Sequence, residues 1–242
     1  MLALLHGWGM NPRVFYALNA QLRDHVTLLP LAFPGHGGTA TLPINTLATW
    51  ASHIAEQLPP ETVLLGWSLG GQIAMRIALD HPATIQRLIL ISTTPKFVAD
   101  ERWQAGVARK DLQAFGAEMQ NDTRASLLRF LSLQTRGVAA QKSILHTLRA
   151  SFFSELLPEA QALAAGLDML LHIDLRTEVA QLAQSTTVIH GSLDKLTPLC
   201  AGTWLAKNLP SAQCCLIDGA AHAPFLSHTQ QVAEAILGAL HD

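Results

Sequence analysis

Gly66-Trp67-Ser68-Leu69-Gly70-Gly71 is the stretch that decides the fold of this 242-residue sequence. It follows the apolar run 62–65 and precedes the apolar-periodic stretch 72–79, which places a serine on the turn between a strand and a helix. The flanking glycines lack a Cβ, so the backbone can turn sharply and pass close to its neighbours. The stretch therefore predicts a nucleophile elbow, with the Ser68 hydroxyl standing above the edge of a sheet.

Strand-like and helix-like segments alternate on both sides of this turn. Strands are predicted at 2–5, 25–31, 62–66, 86–92, 186–190 and 213–217. Helices are predicted at 12–23, 46–58, 69–80, 199–208 and 225–240. This alternation is typical of an α/β protein with a mostly parallel, doubly wound sheet that carries helices on both faces.

Residues 99–180 break the alternation. They are rich in Ala, Leu and Gln and contain no convincing β-branched run, which favours helices. The sequence shows no internal repeat and no low-complexity linker that would separate an independent domain. We therefore expect 99–180 to be a helical lid inserted into a core formed by 1–98 and 181–242.

Composition narrows the classes of function. The chain is 49% hydrophobic with a net charge of −2, so it can bury a substantial core and gives no global case for binding nucleic acid or an anionic membrane. No apolar run has membrane-spanning length, and the N-terminus lacks the features of a signal peptide. We expect a cytoplasmic monomer. The three cysteines, and the histidines other than His222, lack metal-ligand spacing, so we expect free thiols, no metal and no cofactor.

A serine is a poor nucleophile near neutral pH and needs a base that an acid holds in place. Asp194 follows the predicted strand 186–190, at the sheet edge where α/β proteins build their sites. His222 lies on a small-residue loop after the next strand, so the order Ser, Asp, His agrees with the elbow. We predict Ser68 as nucleophile, His222 as base and Asp194 as acid. Each can also be an ordinary loop residue, and Asp218 is a nearby alternative to Asp194.

An acyl-transfer enzyme also needs hydrogen-bond donors where the oxyanion develops. The N–H of Leu69, at a helix N-terminus, and the N–H of Trp8, in the loop after the first strand, are the predicted donors. The indoles of Trp8 and Trp67 either wall an acyl pocket or pack in the core.

These residues resemble the α/β-hydrolase superfamily and, within it, the pimeloyl-acyl-carrier-protein methyl ester esterases of biotin synthesis. The resemblance covers almost the whole chain and is carried by residues 4–11, 65–71, 129–135 and 220–225, of which 129–135 is the most family-specific. It implies the same triad and oxyanion donors, and a carboxylesterase that hydrolyses the methyl ester of pimeloyl-acyl carrier protein. The substrate contacts that it implies are Trp8, Ser68, Leu69, Phe130, Leu131, Ser132, Leu133, Gln134 and His222, of which 130–134 line the acyl channel.

A local basic face agrees with such a substrate. The window 124–149 contains five basic residues and no Asp or Glu. An acyl carrier protein is acidic, so this face can orient it, with Arg124, Arg129 and Lys142 as the preferred contacts. The alternative is a set of solvated helix charges without a partner.

The chain departs from the family pattern near its N-terminus. Superfamily members usually have two strands before the one predicted at 2–5, so we expect the first N-terminal hairpin to be missing, either because the sheet is shorter at that edge or because this sequence starts downstream of the natural start. Dehalogenases and epoxide hydrolases of this fold use an aspartate at the elbow and are excluded. A broad-specificity short-chain carboxylesterase acting on small esters, a carbon-carbon hydrolase and the lyase of menaquinone synthesis share the triad and stay open. A non-catalytic binding protein is disfavoured by the complete triad.

Overall fold

A six-stranded parallel sheet forms the centre of the protein. The computed structural model describes residues 1–139, 141–153 and 156–241. The strands are β1 (Leu2–Leu5), β2 (Leu28–Leu31), β3 (Thr62–Trp67), β4 (Ile85–Ile91), β5 (Ser185–Gly191) and β6 (Ala212–Ile217). Their spatial order is β2-β1-β3-β4-β5-β6, and every neighbouring pair is parallel. The predicted α/β fold with a parallel, doubly wound sheet is confirmed.

Helices flank this sheet. They are α1 (Tyr16–Leu22), α2 (Leu47–Ala55), α3 (Leu69–Asp80), α4 (Arg109–Asn121), α5 (Thr123–Leu133), α6 (Gln141–Phe153), α7 (Ala160–His172), α8 (Leu199–Asn208), α9 (Pro224–Ser227) and α10 (Thr229–His241). Short 3₁₀ turns at Pro12–Phe15 and Val179–Gln181 complete the elements. Helix α1 packs on α10, and α2 packs on α3.

Several predicted boundaries differ from the observed ones, and the predicted helix 46–58 ends at Ala55. The predicted helix 12–23 divides into a 3₁₀ turn and α1, and the predicted helix 225–240 divides at His228, whose backbone leaves the helical region (φ −133°, ψ 47°). Strand β2 begins at Leu28 rather than at residue 25, because the amides of His25 and Val26 both donate to the carbonyl of Leu22 and extend the turn after α1.

The register of the sheet gathers the loops that follow the strands at one edge. Leu5 of β1 pairs with Gly66 of β3, which pairs with Leu90 of β4. All six residues of β3 are buried, as expected for a parallel strand covered on both faces. The carboxyl ends of β1, β3 and β4 therefore lie side by side, where α/β proteins place their sites.

Four helices, α4 to α7, lie between β4 and β5 in the chain. An ion pair joins Arg76 of α3 to Glu178, beyond α7, at 2.6 Å. A second joins Lys96, after β4, to Asp174 at 3.0 Å. The first pair connects the segment between β4 and β5 to α3, and the second connects the two ends of that segment to each other.

Strand β2 forms one edge of the sheet. Within the described residues it pairs only with β1, and no strand precedes β1. Pro30 lies in β2 and lacks an N–H, which is tolerated on an edge strand and discourages pairing with further chains. No helix in the described part of the chain is long and apolar enough to cross a membrane.

Candidate active site

Ser68 occupies the sharp turn between β3 and α3. Its backbone has φ 56° and ψ −120°, a conformation that residues other than glycine rarely adopt. A Cβ added to Gly70 would lie 2.5 Å from the carbonyl oxygens of both Leu5 and His6, and one added to Gly66 would collide with the backbone of Gly70. The turn is therefore closed on both sides by backbone that only glycine can approach, and it presents the Ser68 hydroxyl at the sheet edge.

Ser68, His222 and Asp194 form a continuous hydrogen-bonded line. The Ser68 Oγ lies 2.9 Å from His222 Nε2, and His222 Nδ1 lies 2.8 Å from Asp194 Oδ2. All three side chains are buried. Because Nδ1 faces a carboxylate it carries the ring proton, which leaves Nε2 to accept the hydroxyl proton of Ser68. This geometry suits nucleophilic attack assisted by a general base.

Asp194 is held as an anion. Its Oδ1 accepts hydrogen bonds from the amides of Leu196 and Thr197 at 2.9 and 3.0 Å. Burial works to raise the pKa of this carboxyl, but the charge and hydrogen bond of His222 outweigh it and hold the pKa below its usual value. Asp218 is exposed and accepts a hydrogen bond from Ser192, so the structure does not bring this alternative acid to His222.

The loop that carries His222 is held from two sides. The Trp67 indole N–H donates to the carbonyl of His222 at 2.8 Å, and the amide of His222 donates to the carbonyl of Gln134 at 3.2 Å. The Trp67 ring also meets Phe225 edge-on at 5.0 Å. Trp67 therefore packs in the core and supports His222.

The loop after β1 lies directly beside the nucleophile. A Cβ added to Gly7 would come within 3.4 Å of the Ser68 Cβ. In the described part of the protein, neither the amide of Trp8 nor that of Leu69 has a hydrogen-bond acceptor, so both can donate to an oxyanion. The Trp8 indole N–H donates instead to the carbonyl of Leu163 in α7.

His6 orders the same loop. Its Nδ1 lies 2.8 Å from the carbonyl of Gly7, and its Nε2 accepts the amide of Phe33 at 3.2 Å. Burial, reinforced by nearby His36, holds the pKa of His6 well below its ordinary value, so the ring stays neutral and keeps both bonds. This role of His6 was not predicted from the sequence.

The residues predicted for the acyl channel divide into three groups. Phe130 and Leu133 line a cavity of about 330 Å³ between α4 and α5, and Phe130 meets the Trp8 ring edge-on at 5.0 Å. Leu131 is buried, and Ser132 donates to the carbonyl of Arg129. Gln134 reaches the site through its carbonyl, which accepts a hydrogen bond from the His222 amide.

A second, larger cavity of about 580 Å³ lies between α4 and α7, and Leu163 and Leu167 lie in its wall. Ser68 lines neither this cavity nor the one beside Phe130, and its accessible surface is 8% of the full value. The Ser68 side chain is therefore largely covered in this arrangement.

The three predicted carrier contacts, Arg124, Arg129 and Lys142, are exposed on the inserted helices. Arg129 forms an ion pair with Glu118 of α4 at 2.6 Å. Glu118 precedes the window 124–149, so a stretch without acidic residues in sequence is not free of them in space. The surface is less basic around Arg129 than the sequence indicated.

Three polar side chains near the triad were missed by sequence reasoning: Thr93, His190 and Thr197. Thr93 donates to the carbonyl of Ser68 at 2.6 Å. Thr197 donates to Asp194 Oδ2, and His190 Nε2 lies 2.6 Å from the Thr197 carbonyl. A threonine three residues after an aspartate is a signal for a local side-chain turn, and this signal, which was not used, could have identified Thr197. The sequence held no comparable signal for Thr93 or His190.

Within the described ranges, no group of three or more His, Cys, Asp or Glu side chains is arranged to hold a metal ion. Cys200, Cys214 and Cys215 are free thiols. Burial raises the pKa of Cys214 and Cys215, which keeps these two thiols protonated and poorly reactive.

The sequence of this chain is similar to known proteins over nearly its full length. The family model described as "Alpha/beta hydrolase family" matches residues 2–235. A pimeloyl-[acyl-carrier protein] methyl ester esterase from Aromatoleum aromaticum is 39% identical over 240 residues, covering 97% of this chain and 96% of the relative. Proteins of the same name from Klebsiella pneumoniae and Nitrosomonas europaea are 36% and 37% identical, covering 98% and 95% of this chain and 91% of each relative.

Solved structures share the fold. An esterase from Exiguobacterium antarcticum superposes with a TM-score of 0.87 at 20% identity, covering all of this chain and 91% of the other. The enol-lactonase from Burkholderia xenovorans superposes with a TM-score of 0.85 at 17% identity, with the same coverage.

Proposed function

Since this chain belongs to the α/β hydrolase family and is a carboxylic ester hydrolase, we propose that its substrate is the methyl ester of pimeloyl-acyl carrier protein. The products are pimeloyl-acyl carrier protein and methanol, in biotin synthesis. The observation that carries the proposal is the identity of 34 to 39% with esterases of that name over nearly the whole chain.

The proposed mechanism uses two acyl-transfer steps. Ser68 attacks the ester carbonyl while His222 Nε2 takes its proton, and the amides of Trp8 and Leu69 stabilise the oxyanion. The tetrahedral intermediate collapses, and the proton on His222 passes to the departing methanol. A water molecule then attacks the acyl-serine, again deprotonated by His222, and the carboxylic acid leaves as Ser68 is reprotonated. Asp194 keeps the imidazole oriented and stabilises its charged form.

The segment 99–180, which contains α4 to α7, is proposed to act as the lid of this site. The hydrogen bond from the His222 amide to the Gln134 carbonyl and the low exposure of Ser68 support that role. The acyl chain is assigned to the apolar space beside Phe130 and Leu133. Motion of the lid then controls entry of the chain and release of product.

Docking of the carrier protein is assigned to the exposed basic side chains of α5 and α6. Lys142 on α6 and Arg124 on α5 are the preferred contacts. Arg129 contributes once its ion pair with Glu118 is broken. Attraction between this face and an acidic carrier raises the encounter rate and orients the acyl arm. One chain supplies all three members of the triad, so we propose that the enzyme acts as a monomer, in the cytoplasm.

The test compares the carrier-bound methyl ester with free methyl pimelate, using the wild-type enzyme and Ser68→Ala. We expect efficient cleavage that prefers the carrier-bound ester and falls by about 10⁴-fold or more in Ser68→Ala, since the nucleophile is lost. Methanol release is the readout. Ser68-dependent cleavage of small esters without cleavage of the carrier-bound ester would retain the triad and refute the substrate. Equal activity of wild type and Ser68→Ala would refute the mechanism itself.

A further inference from the structure

The hydroxyl of Thr197 lies at the junction of the acid, the base and a third loop. Its Oγ1 is 2.8 Å from Asp194 Oδ2, 3.0 Å from the carbonyl of Ser92 and 3.3 Å from His222 Nδ1. Thr197 is 1% exposed, so no bulk water competes for these contacts. None of the roles assigned so far to the triad requires a hydroxyl at this point.

The Thr197 contact completes the hydrogen bonding of the Asp194 carboxylate. An ionised carboxylate offers about four acceptor sites. Two amides occupy Oδ1, while His222 Nδ1 and Thr197 Oγ1 occupy Oδ2. Rotation of the carboxylate away from His222 therefore breaks several charge-assisted bonds at once, and these are stronger than bonds between neutral groups.

The third loop connects the two ends of the triad. Ser92, which follows β4, has φ 44° and is fully buried, and its carbonyl shares the single hydroxyl proton of Thr197 with Asp194 Oδ2 in a three-centre bond. Its neighbour Thr93 donates to the carbonyl of Ser68 at 2.6 Å. The loop after β4 is thus tied to the nucleophile through Thr93 and to the acid loop through Thr197.

The groups that face Thr197 and Asp194 are His222 and His190. His190 lies on β5, with its Nε2 2.6 Å from the Thr197 carbonyl and 3.6 Å from Asp194 Oδ2. Burial lowers the pKa of His190, so the ring is neutral near pH 7 and does not compete with His222 for the carboxylate charge. Its Nε2–H donates to the Thr197 carbonyl and fixes the backbone from which the hydroxyl projects.

We propose that Thr197 is a positioning residue, which acts through Asp194 to hold His222 in register with Ser68. The role rests on the proposed triad but not on the identity of the substrate. A single hydroxyl thereby joins the acid directly to the loop after β4, so that loss of the hydroxyl loosens the acid and base relative to the nucleophile.

The competing explanation is that the hydroxyl only stabilises the fold, as a buried hydrogen bond does elsewhere. Thr186 provides a matched control, because it is also 1% exposed, lies at the start of β5 and donates to the carbonyl of Gln184 at 3.0 Å. Thr186→Val removes one buried threonine hydroxyl without touching the triad. A purely structural role predicts that Thr197→Val and Thr186→Val behave alike.

The experiment measures hydrolysis of p-nitrophenyl acetate by Thr197→Val, Thr197→Ser and Thr186→Val, with the thermal midpoint of each. We expect Thr197→Val to lose about ten-fold or more in kcat with KM within about two-fold, the effect of losing one bond to a charged group. Thr197→Ser retains the hydroxyl and should keep most of the wild-type kcat. Thr186→Val keeps the wild-type kcat although its thermal midpoint falls.

The proposal is overturned if Thr197→Val keeps kcat within about two-fold of wild type, or if its loss is matched by Thr186→Val at equal thermal stability. Thr197→Ala, compared with Thr197→Ser, replaces the valine variant if that one does not fold. Ser68→Ala on the same ester tests the triad separately from Thr197. If Ser68→Ala remains active, the triad assignment fails. If hydrolysis of this ester depends on Ser68, the Thr197 result stands whether or not the carrier-bound ester is the substrate.

Discussion

At the scale of single residues, the site depends on positions where an ordinary side chain cannot be placed. Ser68 holds a backbone conformation that costs free energy, and the backbone of β1 passes so close to Gly70 that no Cβ fits. Ser68, the proposed nucleophile, is thus presented by local strain that the surrounding sheet compensates.

Gly70→Ala tests this account. Alanine favours a helix over glycine by at most about 1 kcal/mol, but its Cβ would lie 2.5 Å from two backbone oxygens that cannot rotate away. We expect a loss of about 2 to 3 kcal/mol in the free energy of unfolding, measured by urea denaturation, together with loss of esterase activity.

Gly238→Ala is the control for that variant. Gly238 lies inside α10, and a Cβ added there meets no atom within 4 Å. The same chemical change should therefore stabilise the protein by about 0.5 to 1 kcal/mol and leave activity intact. If both variants changed the free energy of unfolding in the same direction, close backbone contact at Gly70 would not explain the effect of Gly70→Ala.

At the scale of elements, the helices between β4 and β5 carry both a ring contact with the loop after β1 and exposed positive charge. Helix α5 provides Phe130 against Trp8, and α6 presents Lys142 to solvent. The pair between Glu118 and Arg129 joins α4 to α5, and since both partners are mostly exposed it adds little to stability. We therefore expect the exposed cations of these helices to matter more for the proposed docking than for the fold.

Lys142→Glu tests the docking face. We expect kcat/KM for the carrier-bound ester to fall by about ten-fold, through a slower encounter with the acidic carrier, while hydrolysis of p-nitrophenyl acetate is unchanged. The loss should diminish as ionic strength rises. Lys207→Glu, an exposed reversal on α8, is the matched control. Equal effects of the two reversals on carrier-bound turnover would rule out a specific role for the face.

At the scale of the whole molecule, stability depends on two buried histidines in the loops beside the candidate site. His6 in the loop after β1 and His36 in the loop after β2 lie together, with ring centroids 5.4 Å apart, and Phe33 and Trp50 pack around them. Burial lowers the pKa of His36 to about 4. Both rings must be neutral for the loops to keep this arrangement.

The folded protein should therefore lose stability in mild acid. The unfolded chain binds a proton at His36 near the usual pKa of 6.5, whereas the folded protein does so only near 4, so stability falls as pH decreases between these values. The expected loss attributable to His36 is about 3 kcal/mol by pH 4. Urea unfolding of wild type and His36→Gln from pH 7 to pH 4 measures it. If the free energy of unfolding changed with pH equally in wild type and His36→Gln, His36 would not be the source of the acid-dependent loss.

Much of the fold follows from local patterns. Hydrophobic periodicity and glycine spacing are local properties, and they predicted the six strands of the parallel sheet and the elbow at Ser68. The order of Ser68, Asp194 and His222 followed from the same alternation, because each residue comes directly after a strand and parallel strands end at one edge. Boundaries were less accurate at β2 and near His228, where hydrogen bonds of the turns override the pattern.

The sequence by itself determined the class of sheet, the elbow and the candidate nucleophile, base and acid, because backbone geometry and strand periodicity are written in neighbouring residues. Only the tertiary structure decided that Asp194 rather than Asp218 meets His222, that Glu118 offsets Arg129, and that Thr197 joins the acid to the loop after β4. These are contacts between side chains and segments far apart in sequence, and their distances depend on how strands, loops and inserted helices pack.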